Sequence, residues 1–176
     1  ERFMFNTILA PIDGSQPSTN AVALAGKMAA EQGGKLILAH ALHHTAAPSR
    51  LHEIAERLGF ADEMEESFKD VDVVATAAMM PGAAVVTSLS GEAQKEFGEH
   101  LLKAVAEKAA QAGARTVETL CIEEAPAKAI LDYARKHDVD LIVIGSRGAG
   151  KLEGFLLGSV SQKVVEESEC PCLVVK

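Results

Sequence analysis

A short apolar run that ends in glycines does most to constrain how this chain can fold. Residues 141–144 (Leu-Ile-Val-Ile) are followed by Gly-Ser-Arg-Gly at 145–148 and, further on, by Gly158-Ser159. An uninterrupted apolar run bounded by turn residues is typical of a strand that is buried on both faces. Gly-Ser in front of a helical pattern indicates the start of a helix. The stretch therefore predicts a strand, a glycine-rich turn with the spacing G-x2-G-x9-G-S, and a helix.

Other apolar runs alternate with helical patterns along the rest of the chain. Strands are predicted at residues 6–12, 35–42, 116–122, 140–145 and 172–175. Helices are predicted from Pro17 to Gly33-Gly34, over 92–112, from Pro126 onward, and over 158–169. This alternation predicts an α/β fold, a three-layer sandwich around a five-stranded parallel sheet. For five strands we expect the Rossmann-like order 3-2-1-4-5.

Residues 43–90 are less regular than the rest of the chain. The apolar positions Leu51, Ile54, Ala55 and Leu58 suggest a short helix that stops at Gly59. Residues 73–91 carry no charge but include Pro81 and few Leu or Ile, so they suit a membrane poorly, and we expect no membrane insertion. We interpret 1–176 as a single domain. We interpret segment 43–90 as an insertion that follows the second strand and lies over one face of the sheet. A mobile segment is one interpretation of its irregular pattern.

Charge and cysteine content exclude several classes of function. The net charge of −8 and the pI near 5.2 argue against nonspecific binding to nucleic acid or to anionic membranes. Cys121, Cys170 and Cys172 do not make a disulfide framework and favour buried thiols in a reducing compartment. Residues 3–12 read directly as a strand rather than as a signal peptide. We therefore expect a cytoplasmic protein.

The strand order predicts where a ligand would bind. In open parallel sheets, ligands bind beyond the carboxyl ends of the strands where the order reverses, here strands one and four. Those strands end in Asp13-Gly14-Ser15 and in the glycine turn at 145–148. Glycines let the backbone approach an anion, and a helix start offers free N–H groups to phosphate, with hydroxyls of Ser159 and Ser161 nearby. Asp13 is suited to accept a hydrogen bond from a ribose hydroxyl or an adenine amino group.

Competing motifs are weaker. Gly145, Gly150 and Lys151 match the P-loop spacing, but Leu152 stands where the Mg²⁺-binding Ser or Thr belongs. His40 lies within the second strand, where a buried core histidine is the expected role. A metal site built from His43-His44 and His52 lacks a Cys or Asp to complete it. A phospho-acceptor receiver domain would need an acidic pair after strand one, where Asp13 is alone.

Five segments together resemble the universal stress protein family, in its nucleotide-binding type. They are residues 8–15 (Ile-Leu-Ala-Pro-Ile-Asp-Gly-Ser), 36–41 (Leu-Ile-Leu-Ala-His-Ala), 140–148 (Asp-Leu-Ile-Val-Ile-Gly-Ser-Arg-Gly), 158–161 (Gly-Ser-Val-Ser) and 170–175 (Cys-Pro-Cys-Leu-Val-Val). The resemblance covers nearly everything outside 43–90, and the complete glycine spacing is typical of the ATP-binding branch. One departure is Glu-Glu-Ala-Pro at 123–126, where the family usually carries a glycine.

The resemblance implies a site and an assembly. It places Pro11 and Asp13 in an adenosine pocket, the backbone of Ala41 at the adenine edge, and Ile144 with Gly145 beside the ribose. It assigns the phosphates to Arg147, Gly148, Gly158, Ser159, Val160 and Ser161, and Gly14 belongs to the same set. The implied ligand is ATP, or ADP or AMP, with or without Mg²⁺. The family also implies a homodimer in which the last strand pairs across a two-fold axis, and an apolar edge strand does need cover.

These observations lead to one functional hypothesis and one alternative. The first is an adenine-nucleotide-binding stress-response or regulatory module that acts through a nucleotide-dependent state, with no catalytic residues and no metal ligands assigned. The alternative is a slow ATP-hydrolysing or adenylate-handling enzyme on the same scaffold. That enzyme would need a base near the γ-phosphate, for which only Asp13 is available.

Overall fold

The fold is seen in a computed structural model that describes residues 5–42, 47–74, 86–148 and 157–176. The strands are β1 Thr7–Pro11, β2 Lys35–Ala41, β3 Val71–Val74, β4 Val86–Leu89, β5 Thr116–Ile122, β6 Leu141–Gly145 and β7 Cys172–Val175. The helices are α1 Gln16–Gln32, α2 Pro48–Leu58, α3 Gly91–Gln111, α4 Pro126–Lys136 and α5 Ser159–Glu167. A short 3-10 helix, Ser67–Lys69, precedes β3.

The main sheet has the predicted architecture. Its order is β5-β2-β1-β6-β7, and every neighbouring pair is parallel. In terms of the predicted strands this is the order 3-2-1-4-5, so the prediction is confirmed. The observed bounds of these five strands differ from the predicted ones by at most one residue at either end, because polar residues, glycine or proline flank each run.

Local sequence explains how the first helix begins and ends. Ser15 precedes α1 in an extended conformation, and its hydroxyl accepts a hydrogen bond from the N–H of Ser18. Pro17 occupies the first turn, where its missing N–H costs nothing. The helix ends at Gly33, whose φ of 69° is the left-handed conformation that glycine adopts without strain. Both predicted ends of this helix are confirmed.

Two apolar cores cover the two faces of the sheet. On one face, α1, α3 and α2 pack over the side chains of Ile8, Leu36 and Val143. On the other, α4 and α5 cover Leu9, Ile37 and Ile142. Neighbouring strand residues alternate between the two cores, as expected for a strand buried on both faces. This is the predicted three-layer sandwich.

The insertion contains more structure than the sequence suggested. Helix α2 begins at Pro48, three residues before the first apolar position used to predict it, and ends before Gly59 as predicted. Strands β3 and β4 form an antiparallel pair that the sequence did not predict. Both strands have only four residues, and residues 75–85 rather than a two-residue turn separate them, so no hairpin signal marks the pair. Segments 43–46 and 75–85, including most of the uncharged span 73–91, lie outside the described residues.

The described part of the insertion packs onto the core. Leu51, Ile54, Phe60 and Met64 are each at most 7% exposed and join the same apolar cluster as α1 and α3. The ring of Phe60 meets that of Phe97 at 5.6 Å between centroids. The predicted location over one face therefore holds for these residues. Within the described ranges, no helix is both long and apolar enough to span a bilayer.

Candidate functional site

Two loops meet where β1 and β6 end side by side. We call residues 12–18 the Asp13 loop, and residues 145–148 together with 157–161 the glycine loop. The hydroxyl of Ser15 lies 3.3 Å from the carbonyl oxygen of Arg147. A Cβ atom added at Gly148 would lie only 2.6 Å from Oδ2 of Asp13. The two strand ends that the predicted topology made neighbours are thus in direct contact.

β1 and β6 stop pairing before either strand ends, and we call the unpaired region beyond that register the crevice. The register pairs Ile8 with Leu141 and Leu9 with Ile142, and stops there. Pro11 follows two residues later, and it has no N–H to donate to a ladder. On the other side, β1 stays paired with β2 as far as Pro11 and Ala39. The departure from regular pairing is therefore on the β6 side, at the candidate site.

Small polar side chains hold the Asp13 loop in shape. Oδ1 of Asp13 accepts hydrogen bonds from the N–H of Ser15 at 3.0 Å and from its hydroxyl at 2.6 Å. The Ser15 carbonyl accepts from the hydroxyls of Ser18 at 2.9 Å and Thr19 at 3.0 Å. Ser15 and Ser18 are buried, and Asp13 is partly exposed. One carboxylate oxygen is thus fixed by its own loop, and the other faces Gly148.

His40 is a buried residue that supports the same loop. Its Nδ1 lies 2.8 Å from the carbonyl oxygen of Ile12, and because a carbonyl only accepts, Nδ1 carries the proton. The side chain is 4% exposed. Gly98 of α3 makes room for it, since a Cβ at that position would lie 2.9 Å from Cδ2 of His40. The predicted core histidine is confirmed, with the added role of fixing the residue before Asp13.

Gly145 has a packing reason to be glycine. A Cβ there would lie 2.7 Å from the backbone nitrogen of Ser18 and 2.9 Å from the carbonyl carbon of Pro17. The first turn of α1 therefore rests directly on the end of β6. The packing of α1 against Gly145 gives this glycine a structural role beside the anion-binding role that the sequence predicts for it. At Gly148, Oδ2 of Asp13 lies close to where a side chain would begin.

The glycine loop presents the start of α5. The N–H of Gly158 donates to the carbonyl of Ser146 at 2.9 Å, which joins the far side of the loop to β6. The Ser161 hydroxyl is within 2.9 Å of the carbonyls of Ser146 and Gly158, so its hydrogen is used inside the loop. The exposed Ser159 and the backbone N–H groups of the first turn stay available for a ligand. The sequence predicts that the hydroxyls of Ser159 and Ser161 both serve phosphate; in the structure that of Ser161 bonds within the loop, and Ser159 is exposed.

Ala41 turns its backbone toward the same crevice. The Ala39 carbonyl accepts from the N–H of Ile12 on the β1 side, and the N–H of Leu42 donates to Ile122 on the β5 side. Backbone groups of alternate residues point to the same side of a strand, so those of Ala41 point to the β1 side. They lie beyond Pro11, the last residue of β1 in the register. This is the position that the family resemblance implies for an adenine edge.

The remaining predicted site residues divide into two groups. Pro11, Asp13, Gly14, Gly145, Arg147, Gly148, Gly158 and Ser161 belong to the strand ends and loops just described. Ile144 is 5% exposed in the core under α4 and α5, and Val160 packs against the same core. The side chains of these two residues therefore serve the core. Lys151, with the rest of 149–156, lies outside the described residues.

Sequence reasoning missed several residues that shape the site. Ser18 braces the Asp13 loop, Ser146 accepts two contacts from the far side of the glycine loop, and Arg57 of the insertion donates to the carbonyl of Gly14. A serine three residues after a capping serine hints at the first of these. No local signal identifies Arg57, because it lies 43 residues away from its partner.

The predicted histidine cluster contributes little that the structure can place. His52 lies 3.7 Å from Glu56 on the same helix and packs its ring on Phe68. His43 and His44 lie outside the described residues. Within the described ranges, no three His, Cys, Asp or Glu side chains are grouped as a metal site would require.

Comparison with known proteins places this architecture in a family. The model of the universal stress protein family matches residues 4–176. The chain is 34% identical over 177 residues to universal stress protein YxiE of Bacillus subtilis (strain 168), covering 98% of this chain and 100% of that protein.

Solved structures show the same fold. A universal stress protein in complex with cAMP aligns at a TM-score of 0.60 and 24% identity, covering 98% of both chains. The universal stress protein of Archaeoglobus fulgidus in complex with dAMP aligns at 0.62 and 16% identity, covering 99% of this chain and 100% of that one. Identities this low establish the fold alone. The family match over nearly the whole chain and the full-length relative establish more: this chain belongs to the universal stress protein family.

Proposed function

We propose that this protein binds an adenine nucleotide in the crevice between the Asp13 loop and the glycine loop, and responds to stress through its nucleotide-dependent state. The observation that carries the proposal is the contact of the two loops. The Asp13 carboxylate lies 2.6 Å from where a Gly148 side chain would begin, beside the start of α5. A hydrogen-bond acceptor for ribose and a helix N-terminus for phosphate thus share one crevice. Two family members of the same fold were solved with cAMP and with dAMP.

The residues present fit such a ligand. Gly148 is exposed and its missing side chain lets the backbone come close to Asp13, and among the described residues a Cβ at Gly158 would meet nothing nearer than 3.4 Å. Arg147 precedes Gly148 and is partly exposed. The Ala41 backbone supplies both a donor and an acceptor of the kind that an adenine edge needs. ATP, with or without Mg²⁺, is the ligand that we propose, and ADP and AMP share the same adenosine contacts.

The decisive experiment identifies the nucleotide directly. Freshly purified protein is denatured, and the released small molecules are identified by mass; we expect an adenine nucleotide in near-stoichiometric amount. Titration with ATP then compares the wild type with Gly148→Val, whose side chain would crowd both Asp13 and the phosphates. Absence of any released adenine nucleotide together with no binding in titration contradicts the proposal. Unchanged ATP affinity in Gly148→Val contradicts the site.

Phosphate release separates binding from turnover. The protein is incubated with ATP and Mg²⁺, and free phosphate is followed over time. We expect less than about one turnover per minute, far below the ~10 s⁻¹ of a typical enzyme. Faster release that is lost in Asp13→Asn would favour the ATP-hydrolysing alternative.

We further propose that the protein forms a homodimer through β7. This strand lies at the edge of the sheet and its four residues are only partly buried. The carbonyls of Pro171 and Val175 face β6, so by alternation the backbone groups of Cys172 and Val174 face outward. Val174→Pro removes one outward N–H without touching the β6 ladder. We expect a dimer in the wild type and a monomer in this variant by sedimentation; a monomeric wild type contradicts the proposal.

A further inference from the structure

The insertion reaches the candidate nucleotide site through helix α2. The guanidinium of Arg57 donates to the carbonyl of Gly14, and its Nη1 lies 3.4 Å from Oε1 of Gln16. One turn earlier on the same helix, Ile54 covers Gly14 so closely that a Cβ there would lie 2.6 Å from its Cγ2. Helix α2 therefore contacts the Asp13 loop through one polar and one apolar side chain, those of Arg57 and Ile54. Arg57 and Ile54 both lie in segment 43–90, outside the segments that carry the family resemblance.

Gly14, the residue that α2 contacts, controls the orientation of Asp13. Gly14 has a φ of 81°, in the left-handed region that side-chain-bearing residues rarely adopt. The conformation of Gly14 sets the relative positions of its neighbours Asp13 and Ser15. Ser15 donates two hydrogen bonds to Oδ1 of Asp13, from its N–H and from its hydroxyl. A change in the peptide after Gly14 would therefore turn the carboxylate that faces Gly148.

We propose that α2 is a positioning element of the nucleotide site and that Arg57 is its positioning residue. The proposal rests on the proposed function and extends it to the insertion. Arg57 holds the Gly14 carbonyl, Ile54 closes the space above it, and Asp13 is thereby set for the adenosine moiety. Because coupling between two events is reciprocal, nucleotide binding also stabilises the docking of α2.

Positioning differs from a simple effect of positive charge, and Arg50 allows the two to be separated. Arg50 lies on the same helix, seven residues before Arg57, and carries the same charge. Its Nε is buried and makes no hydrogen bond in the described structure. If positive charge near the phosphates were the cause, replacing either arginine would lower the affinity, and the affinity for ATP would fall more than that for adenosine. Positioning of Asp13 predicts a loss that is specific to Arg57 and equal for the two ligands.

The test measures adenosine and ATP affinity by calorimetry for the wild type, Arg57→Ala, Arg57→Lys and Arg50→Ala. For Arg57→Ala we expect a loss of about fivefold to tenfold with both ligands, the size of one charge-assisted hydrogen bond near the surface. Arg57→Lys should recover part of it, and Arg50→Ala should stay within about twofold of wild type, the size expected when no bond is lost. Equal losses in both alanine variants, confined to ATP, would overturn the proposal. So would wild-type affinity in Arg57→Ala.

Hydrogen exchange provides a readout that needs no variant to fold. Amides of α2 should exchange more slowly in wild-type protein saturated with AMP, while those of α4, on the opposite face of the sheet, should not change. Unchanged exchange in α2 with AMP bound would overturn the coupling. A wild type that binds neither adenosine nor ATP would instead refute the proposed function itself, so the two failures are distinguishable.

Discussion

The two loops of the crevice are built in different ways. In the Asp13 loop, side chains do most of the bonding: Asp13, Ser15 and Ser18 bond to one another and to the backbone of the loop. In the glycine loop, missing side chains define the shape, and the first turn of α5 supplies backbone N–H groups. A carboxylate discriminates by accepting hydrogen bonds, whereas a helix start attracts any anion. The comparison indicates that one loop selects the nucleoside and the other holds its phosphates.

Removing the carboxylate tests the first half of this comparison and should have the largest effect. Asp13→Ala deletes the acceptor for two hydrogen bonds from Ser15 as well as the proposed ribose contact. We expect affinity for adenosine and for ATP to fall alike, by about a hundredfold, which corresponds to a charged hydrogen bond of ~3 kcal/mol. Calorimetric titration of both ligands checks this. A loss confined to ATP would break the division between the loops.

Gly145→Ala tests whether this glycine serves packing or ligand binding. The new methyl group would press on the backbone of Ser18 and Pro17, which cannot move without shifting α1. We expect unfolding free energy to drop by about 1–3 kcal/mol, seen as a Tm lower by about 2–4 °C for each kcal/mol. Thermal unfolding without ligand is the measurement. An unchanged Tm would contradict the packing role and favour the predicted role of Gly145 in letting an anion approach the backbone.

Gly158→Ser is the matched change on the ligand side of the glycine loop. A Cβ at this position meets only ordinary contacts of 3.4 Å or more, and serine is a good residue to precede a helix. The Tm should therefore hold or rise slightly. We expect ATP to bind about tenfold more weakly, a change of ~1.4 kcal/mol, because the backbone no longer approaches phosphate closely. Adenosine affinity should be unchanged; an equal loss for adenosine would contradict the assignment.

Ser161→Ala should have the smallest effect. The hydroxyl serves the carbonyls of Ser146 and Gly158 and not the crevice, so its loss loosens the loop. We expect a stability loss of about 1 kcal/mol, the value of one buried hydrogen bond, and an ATP affinity within about threefold of wild type. Denaturant unfolding and titration measure the two quantities. If the free energy of ATP binding falls by much more than the free energy of unfolding, the hydroxyl contacts phosphate directly.

The sequence predicted the sheet well because its signals are local. Polar residues, glycine or proline flank each apolar run of the main sheet, and Ser15, Pro17 and Gly33 mark the ends of α1 by known preferences. The strand order followed from the general behaviour of such folds. The β3–β4 pair was not predicted because each strand has only four residues and no two-residue hairpin turn joins them. Four residues are too few for a periodic pattern to mark a strand.

For the site, the sequence by itself determined which residue types stand at the two strand ends: an aspartate, a set of glycines and a helix start. Only the tertiary structure decided what each one does. It assigned Gly145 to α1, turned the Ser161 hydroxyl inward, and brought Arg57 to Gly14 across 43 residues of chain. The physical reason is that identity and spacing fix what a backbone is able to do locally. Which neighbour a glycine admits, or which carbonyl a hydroxyl reaches, depends on how helices pack onto the sheet.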